Sequence, residues 1–324
     1  MTSSGSDGSG VARAGAATGA GATIGAGAAI GAGAAIGFVG LGRMGLPMAG
    51  RLVTAGRRVV GYDVVPDAVE RAGQHGIVPA PDLASLAGEA SLLVLMLPSS
   101  AVVDAVLGDE ALLGALRAGT LVVDMSSSEP LRTREHAGRL TGRGLRMVDA
   151  PVSGGVSGAE KGTLTIMAGG SEADVAEAAA ALGSLGTVVR AGGVGAGHAV
   201  KALNNLLSAT HLWITSEAMV AGERFGLDPD VMLAIFNRSS GRSGSTENKW
   251  PNFIRSRSFA SGFALALMVK DVGIAVQLAE QVGAPSALGS GALELWEEAA
   301  RELAPDADHT EVARFLQGAA RAAQ

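Results

Sequence analysis

The chain has 324 residues, and its 48% hydrophobic and 17% charged composition is typical of a folded protein and not of a disordered one. A net charge of −6, with no long run of Lys or Arg, argues against nucleic acid as a partner. Cysteine is absent, which excludes disulfides and thiolate chemistry, and no apolar run approaches the ~20 residues of a membrane helix. These features favour a cytoplasmic protein that does not interact with membranes.

Residues 1–34 are rich in Gly, Ala, Ser and Thr, and we interpret them as a low-complexity flexible tail without a packed core. Their glycine spacing partly resembles a nucleotide-binding loop, but no strand-like run precedes it. A secretory signal is not indicated, because the cationic start and the Leu- or Val-rich centre of such a signal are both missing.

From residue 35 to about residue 196, short β-rich runs alternate with helical stretches. The runs lie at 35–40, 58–63, 92–97, 121–125, 145–150, 163–168 and 187–191. Several are continuously apolar, which is typical of parallel strands covered on both faces. The alternation predicts a Rossmann-type doubly wound sheet, an α/β dinucleotide-binding domain over residues 35–196.

Residues 197–324 contain no convincing strand and are predicted to form an all-helical domain for substrate binding and oligomerisation. Helices are predicted at 199–225, 229–237, 271–282 and 286–301, separated by glycine and proline. The first of these is a long helix that begins near His198 and joins the two domains.

The motif G-L-G-R-M-G at 40–45 follows a strand and opens a helix, which is the setting in which such glycines bind a dinucleotide. Gly40 permits the tight turn, Gly42 lets a pyrophosphate approach the backbone, and Gly45 lets helix and strand pack closely. The expected cofactor-binding residues here are Gly40, Leu41, Gly42, Arg43, Met44 and Gly45.

Asp63 ends the next strand, where a carboxylate accepts the ribose hydroxyls of NAD, although such a residue can also be an ordinary turn residue. A 2′-phosphate would be repelled by this carboxylate, and the following Val64 and Val65 offer no cation to hold one. The sequence therefore predicts NAD as the cofactor, with NADP less favoured.

Lys201 and Asn205 stand four residues apart on the predicted long helix and share one face. Hydride transfer from an alcohol needs a base for the hydroxyl proton, and a lysine can act if burial and a nearby cation lower its pKa. Asn205 could then hold the substrate with a neutral donor and acceptor. A lone lysine on a helix is more often a surface residue, so this pattern alone leaves the choice open.

Ser153, Gly154 and Gly155 form a turn in which backbone N–H groups and a hydroxyl could bind a carboxylate. From composition alone, a plain loop between strands is the better explanation of this turn.

Together these segments resemble the β-hydroxyacid dehydrogenases, and within that family the 3-hydroxyisobutyrate dehydrogenase group and its close relatives. The motifs occur in order as G-L-G-R-M-G (40–45), D-A-P-V-S-G-G…G-T-L-T-I-M-A-G-G (149–170), G-A-G-H-A-V-K-A-L-N-N (195–205) and V-K-D-V (269–272). The resemblance extends from about Ile36 to Gln324, and only the tail lies outside it.

The resemblance implies roles for individual positions. Lys201 matches the catalytic lysine of the family, and Asn205 matches the asparagine that orients the substrate. Ser153, Gly154 and Gly155 match its carboxylate-binding turn. Cofactor contacts are implied for Leu97, Pro98, Val102, Ser127 and Lys270. Two positions depart from the usual pattern, since Ser127 stands where the family usually has Thr, and Val272 where it usually has Leu.

The function so implied is NAD-dependent oxidation of a short 3-hydroxy acid to its semialdehyde, by a homodimer or homotetramer. An alternative on the same scaffold is a reductase of tartronate semialdehyde, succinic semialdehyde or glyoxylate. A non-catalytic dinucleotide-binding module is a further alternative, but such a module would be expected to lack the lysine and to carry basic tracts.

Other polar residues carry weaker expectations. The five histidines show no metal-ligand spacing, so no metal site is expected. His198 is interpreted as a polar residue at a helix start in preference to a substrate contact. Residues 237–253 are interpreted as a polar loop that covers the substrate, with Arg242 or Asn248 as contacts.

Overall fold

The computed structural model describes residues 34–322, in which nine strands form a single sheet. They are β1 (Ala35–Val39), β2 (Val59–Tyr62), β3 (Val78–Pro79), β4 (Ala90–Leu95), β5 (Leu121–Asp124), β6 (Arg146–Asp149), β7 (Val152–Ser153), β8 (Leu164–Gly169) and β9 (Gly186–Gly192). Their order is β3-β2-β1-β4-β5-β6-β8-β7, with β9 paired to β8. Strands β1 to β6 are parallel, whereas β8 runs antiparallel to β6 and β7.

Eight helices connect these strands and cover both faces of the sheet. They are α1 (Gly45–Thr54), α2 (Pro66–Gln74), α3 (Leu83–Glu89), α4 (Ser100–Leu107), α5 (Glu110–Ala115), α6 (Pro130–Thr141), α7 (Gly155–Lys161) and α8 (Glu172–Leu182). Separate apolar clusters fill the two faces, so the strands are buried on both sides and the predicted doubly wound sheet is confirmed. The strand order reverses between β1 and β4, and ligands of such folds bind at the carboxyl ends of the strands beside this point.

The rest of the described chain is helical. Its helices are α9 (Ala196–Phe225), α10 (Pro229–Phe236), α11 (Leu265–Gln281), α12 (Ala287–Glu302) and α13 (Val312–Ala322). They enclose a core that contains Trp213, Trp250 and Trp296. Helix α9 spans 30 residues, which agrees with the long first helix predicted from the sequence. None of the described helices is long and apolar enough to span a membrane.

Helix α11 begins at Leu265, six residues before the start predicted at Asp271. Ala264 caps this helix without a side-chain hydrogen bond, so the sequence carries no start signal there. The first turns form because Leu265 and Met268 are buried in the helical core, which is a tertiary effect. No helix was predicted for the residues that form α13.

The prediction of a loop over residues 237–253 is wrong in part, because Ser245–Ile254 form a π-helix that contains Pro251. Its Trp250 is buried, and Nε1 of this indole donates to Ser216 Oγ at 3.3 Å. Ser216 lies roughly 22 Å along α9 from Lys201 at 1.5 Å per residue. This segment therefore packs against the far end of the helix, and the hypothesis that it covers the substrate in the same chain is not supported.

Candidate active site

The glycine loop after β1 leaves room for a ligand at one position and none at two others. A Cβ on Gly40, which has φ of +96°, would lie 2.3 Å from Met96 O, and one on Gly45 would lie 1.8 Å from Gly40 O. Both positions therefore require glycine for close backbone packing. A Cβ on Gly42 would meet nothing within 4 Å, so the backbone there is open to an approaching group. This arrangement fits a pyrophosphate at the start of α1.

Asp63 ties the end of β2 to this loop. Its Oδ2 accepts a hydrogen bond from Leu41 N at 2.7 Å, and its Oδ1 accepts one from Val65 N at 2.8 Å. A carboxylate has about four lone-pair sites, so these bonds leave capacity for ribose hydroxyls. The side chain thus holds the loop in addition to the predicted cofactor role. In the same loop, Arg43 is exposed and Met44 packs against the sheet core.

The loops after β4 and β5 are held together by Lys270, which lies on α11. Its Nζ donates to Pro98 O at 3.2 Å and to Ser127 O at 3.1 Å, across 172 and 143 residues of sequence. In addition, Leu97 N donates to Ser126 Oγ at 2.9 Å. The structure therefore brings Leu97, Pro98, Ser127 and Lys270 together. Val102 lies nearby in the first turn of α4, where it is 36% exposed.

Lys201 is buried in α9, with 7% of its surface exposed. Burial lowers the pKa of its amine, nearby Lys270 lowers it further, and the carboxylate of Asp271 opposes both by raising it. The local conditions that the sequence argument required for a lysine base, burial and a cationic neighbour, are both present.

Asp271 is a site residue that the sequence argument overlooked. Its Oδ2 accepts a hydrogen bond from Asn205 Nδ2 at 2.6 Å, between residues 66 positions apart. Its Oδ1 is buried 3.4 Å from Lys270 Nζ and has no hydrogen-bond partner in the described part of the chain. The carboxylate thus orients Asn205 and balances the charges of Lys201 and Lys270. In the sequence, Asp271 is distinguished only by its position directly after Lys270 in the motif V-K-D-V.

The Ser153–Gly155 turn begins at the short strand β7, where Ser153 pairs with Thr165 of β8. Gly154 and Gly155 have φ of +132° and +63°, and α7 starts at Gly155. Successive glycines in these conformations can present backbone N–H groups to an anion. Helix α9 starts close to this part of the sheet, since a Cβ on Gly197 would lie 2.1 Å from Met167 O.

Within residues 34–322, no group of three or more His, Cys, Asp or Glu side chains could hold a metal ion. His198 lies in the first turn of α9, as the sequence interpretation expected, and it is buried in a hydrogen-bonded network. The partners of this ring lie at least 65 residues away, so no local sequence pattern indicates them.

Comparisons with known proteins agree with this geometry. Residues 35–195 match the model of the NAD binding domain of 6-phosphogluconate dehydrogenase, and residues 195–316 match that of NAD-binding of NADP-dependent 3-hydroxyisobutyrate dehydrogenase. The chain is 39% identical to 2-(hydroxymethyl)glutarate dehydrogenase of Eubacterium barkeri, over 80% of this chain and 87% of that protein. It is 38% identical to mitochondrial 3-hydroxyisobutyrate dehydrogenase of Bos taurus, over 86% and 85% of the two chains.

The chain belongs to the β-hydroxyacid dehydrogenase family. A solved structure of Mycobacterium tuberculosis 3-hydroxyisobutyrate dehydrogenase with L-serine superposes with a TM-score of 0.84 at 33% identity, covering 88% of this chain and 99% of that one. As a member of this family, the protein is an oxidoreductase that acts on CH–OH groups of hydroxy acids and carries an NAD-binding domain. The alternative of a non-catalytic dinucleotide-binding module is therefore wrong.

Proposed function

We propose that this dehydrogenase oxidises a short 3-hydroxy acid of the 3-hydroxyisobutyrate type to its semialdehyde, with NAD as cofactor and Lys201 as general acid and base. The observation that carries the proposal is the buried Lys201 amine. It shares a helix face with Asn205, and its charge neighbours are Asp271 and Lys270. Lys270 in turn holds the loops for which cofactor contacts are expected.

The residues of the glycine loop, with Asp63, would hold the dinucleotide, whose nicotinamide supplies a hydride acceptor when bound. The Ser153–Gly155 turn would hold the substrate carboxylate. Asn205, fixed by Asp271, would orient the hydroxyl, and Lys201 would take the hydroxyl proton at Nζ during oxidation and return it during reduction. Because burial lowers the pKa of Lys201, a larger fraction of its amine is neutral and able to accept this proton near pH 7.

The names of the relatives narrow the substrate class. 3-Hydroxyisobutyrate, L-serine and 2-(hydroxymethyl)glutarate all carry a CH₂OH group on the carbon that bears a carboxylate. We propose that the substrate of this protein shares this unit. A panel of these acids, assayed by NADH formation, ranks them by kcat/KM. Tartronate semialdehyde, succinic semialdehyde and glyoxylate, assayed by NADH consumption, test the alternative of a reductase.

We expect kcat/KM to be at least ~10-fold higher with NAD than with NADP, equivalent to about 1.4 kcal/mol of like-charge repulsion at Asp63. Asp63→Asn should reduce this preference, because it removes the charge that opposes a 2′-phosphate. Steady-state kinetics with both cofactors test this, and the ratio corrects for any general disturbance of the loop. Asp67→Asn, a nearby change in the first turn of α2, should leave the ratio unaltered. A clear preference of the parent enzyme for NADP would refute the assignment of NAD.

We also propose that the protein is a homodimer or homotetramer. Val200, Leu203, Leu207 and Ile214 lie on one face of α9 and are 43%, 44%, 59% and 55% exposed. A stripe of this kind on a long helix can pair with the same stripe of a second copy about a two-fold axis.

Leu207→Arg should therefore shift the protein toward monomer, because it would place an unpaired charge in the buried interface. Light scattering during size-exclusion chromatography measures this change. Val282→Arg, which replaces an exposed apolar residue at the end of α11, serves as the control. A parent protein that is already monomeric would contradict the proposal.

A further inference from the structure

His198 lies in the first turn of α9 and is only 1% exposed. Its Nδ1 is 2.8 Å from Thr133 Oγ1 on α6, and its Nε2 is 3.1 Å from the carbonyl oxygen of Ser126. Because a carbonyl oxygen only accepts hydrogen bonds, Nε2 must carry a proton and donate to Ser126. The ring thus joins α9 to the loop that follows β5.

Two buried carboxylates surround this ring. Asp149, at the end of β6, accepts from Gly195 N at 2.6 Å and from His198 N at 2.8 Å, and so fixes the backbone at the start of α9. Asp124, at the end of β5, accepts from Ser126 N at 2.9 Å and from Ser128 Oγ at 2.8 Å. The loop and the helix start are therefore each anchored to a strand end, and the imidazole connects them.

The loop that His198 contacts belongs to the candidate active site. Ser126 Oγ accepts from Leu97 N, and the next residue, Ser127, accepts from Lys270 Nζ. On the helix side, Lys201 follows His198 by one turn. The bond from Nε2 to Ser126 therefore connects the turn that carries Lys201 directly to the expected cofactor side of the site.

We propose that His198 is a positioning residue for the hydride-transfer reaction. Its Nε2–H bond to Ser126 O sets the placement of Lys201 relative to the bound cofactor, whereas its Nδ1 contact with Thr133 only supports the ring. This inference rests on the proposed role of Lys201. A displacement of about 1 Å in a reacting group can lower turnover by up to ~10²-fold, so the connection is expected to affect kcat.

Two substitutions separate the two sides of the ring. The amide of His198→Gln extends to about the position of Nε2 and can still donate to Ser126 O. The shorter amide of His198→Asn extends only to about Nδ1 and retains the Thr133 side. We expect His198→Gln to keep kcat within ~5-fold of the parent, and His198→Asn to lose at least ~10-fold in kcat with little change in KM for the hydroxy acid. Steady-state kinetics and the thermal midpoint are measured for both variants.

Controls distinguish positioning from structural support. His136→Gln alters another buried histidine of α6, which bonds to Asp104 of α4 and not to the partners of His198, and should leave kcat unchanged. Thr133→Val removes the Nδ1 partner, together with the bond from Thr133 Oγ1 to Glu129 O, and leaves the Nε2 side of the ring in place. It should keep kcat within ~5-fold, which provides a test even if His198→Asn fails to fold. Equal kcat values for the Gln and Asn variants, or a loss of 10-fold or more in Thr133→Val, would overturn the proposal.

Lys201→Ala is assayed in the same series to separate two kinds of failure. If Lys201→Ala loses turnover while His198→Asn keeps it, the positioning role fails and the proposed function stands. If Lys201→Ala itself keeps turnover, the proposed function fails.

Discussion

Lys201→Ala should lower kcat by at least ~10²-fold, the low end for the loss of a general acid–base group. The variant removes the only group that we assign to transfer of the hydroxyl proton, and it leaves the glycine loop and Asp63 unaltered. NADH binding, followed by fluorescence titration, should therefore be retained. Lys201 is buried and its pKa is lowered mainly by that burial, which favours the neutral amine that accepts the proton.

The matched control for this prediction is Lys249→Ala. Lys249 is also a lysine whose pKa is lowered by burial, but it lies in the π-helix that packs against the far end of α9. Its loss should leave kcat close to the parent value. Retained turnover in Lys201→Ala would rule out the assigned role of that residue. Equal losses of kcat in both variants would indicate that removal of any buried or half-buried amine lowers turnover, and that Lys201 has no specific role.

Asp271→Asn should lower the maximal kcat/KM by about 10- to 100-fold, as expected when a hydrogen bond to a charged group is weakened in a buried site. The substitution keeps the size of the side chain. It removes the carboxylate that holds Asn205 at 2.6 Å and places an amide beside the Lys270 amine. The substitution therefore weakens the contact that orients Asn205, and it removes the negative charge that offsets the charges of Lys201 and Lys270.

The same variant should shift the pH profile in a defined direction. Oxidation requires neutral Lys201, so its rate falls as pH decreases through the pKa of that amine. The charge of Asp271 raises this pKa, whereas burial and Lys270 lower it. Without the charge only the lowering influences remain, so the acidic limb of kcat/KM should move to lower pH.

A matched control for the pH experiment is Asp230→Asn, which removes an exposed aspartate that pairs with Arg255. This substitution should not change the pH dependence of kcat/KM. If the acidic limb of Asp271→Asn stays in place or moves to higher pH, then either Lys201 is not the titrating group or Asp271 does not act on it.

The sequence predicted the class of fold because its evidence is local. Continuous apolar runs such as 92–95 indicate a strand buried on both faces, and G-L-G-R-M-G between a strand and a helix indicates a dinucleotide loop. Lys201 and Asn205 share a face because four residues make about one helical turn, which is also a local property. The ordered motifs indicated the family in the same way, without knowledge of any contact.

Only the tertiary structure decided which distant groups meet. The contacts of Asn205 with Asp271, of Lys270 with Ser127 and of His198 with Ser126 join residues 66, 143 and 72 positions apart. Such pairs depend on how α9 and α11 pack against the strand ends, and no short-range pattern encodes that packing. For the same reason the π-helix around Trp250 was missed, since burial of its indole stabilises a backbone form that the local composition does not favour. The sequence by itself thus determined the fold class, the family and the identity of the candidate base. The packing of the helices determined the buried, charged surroundings in which that base would act.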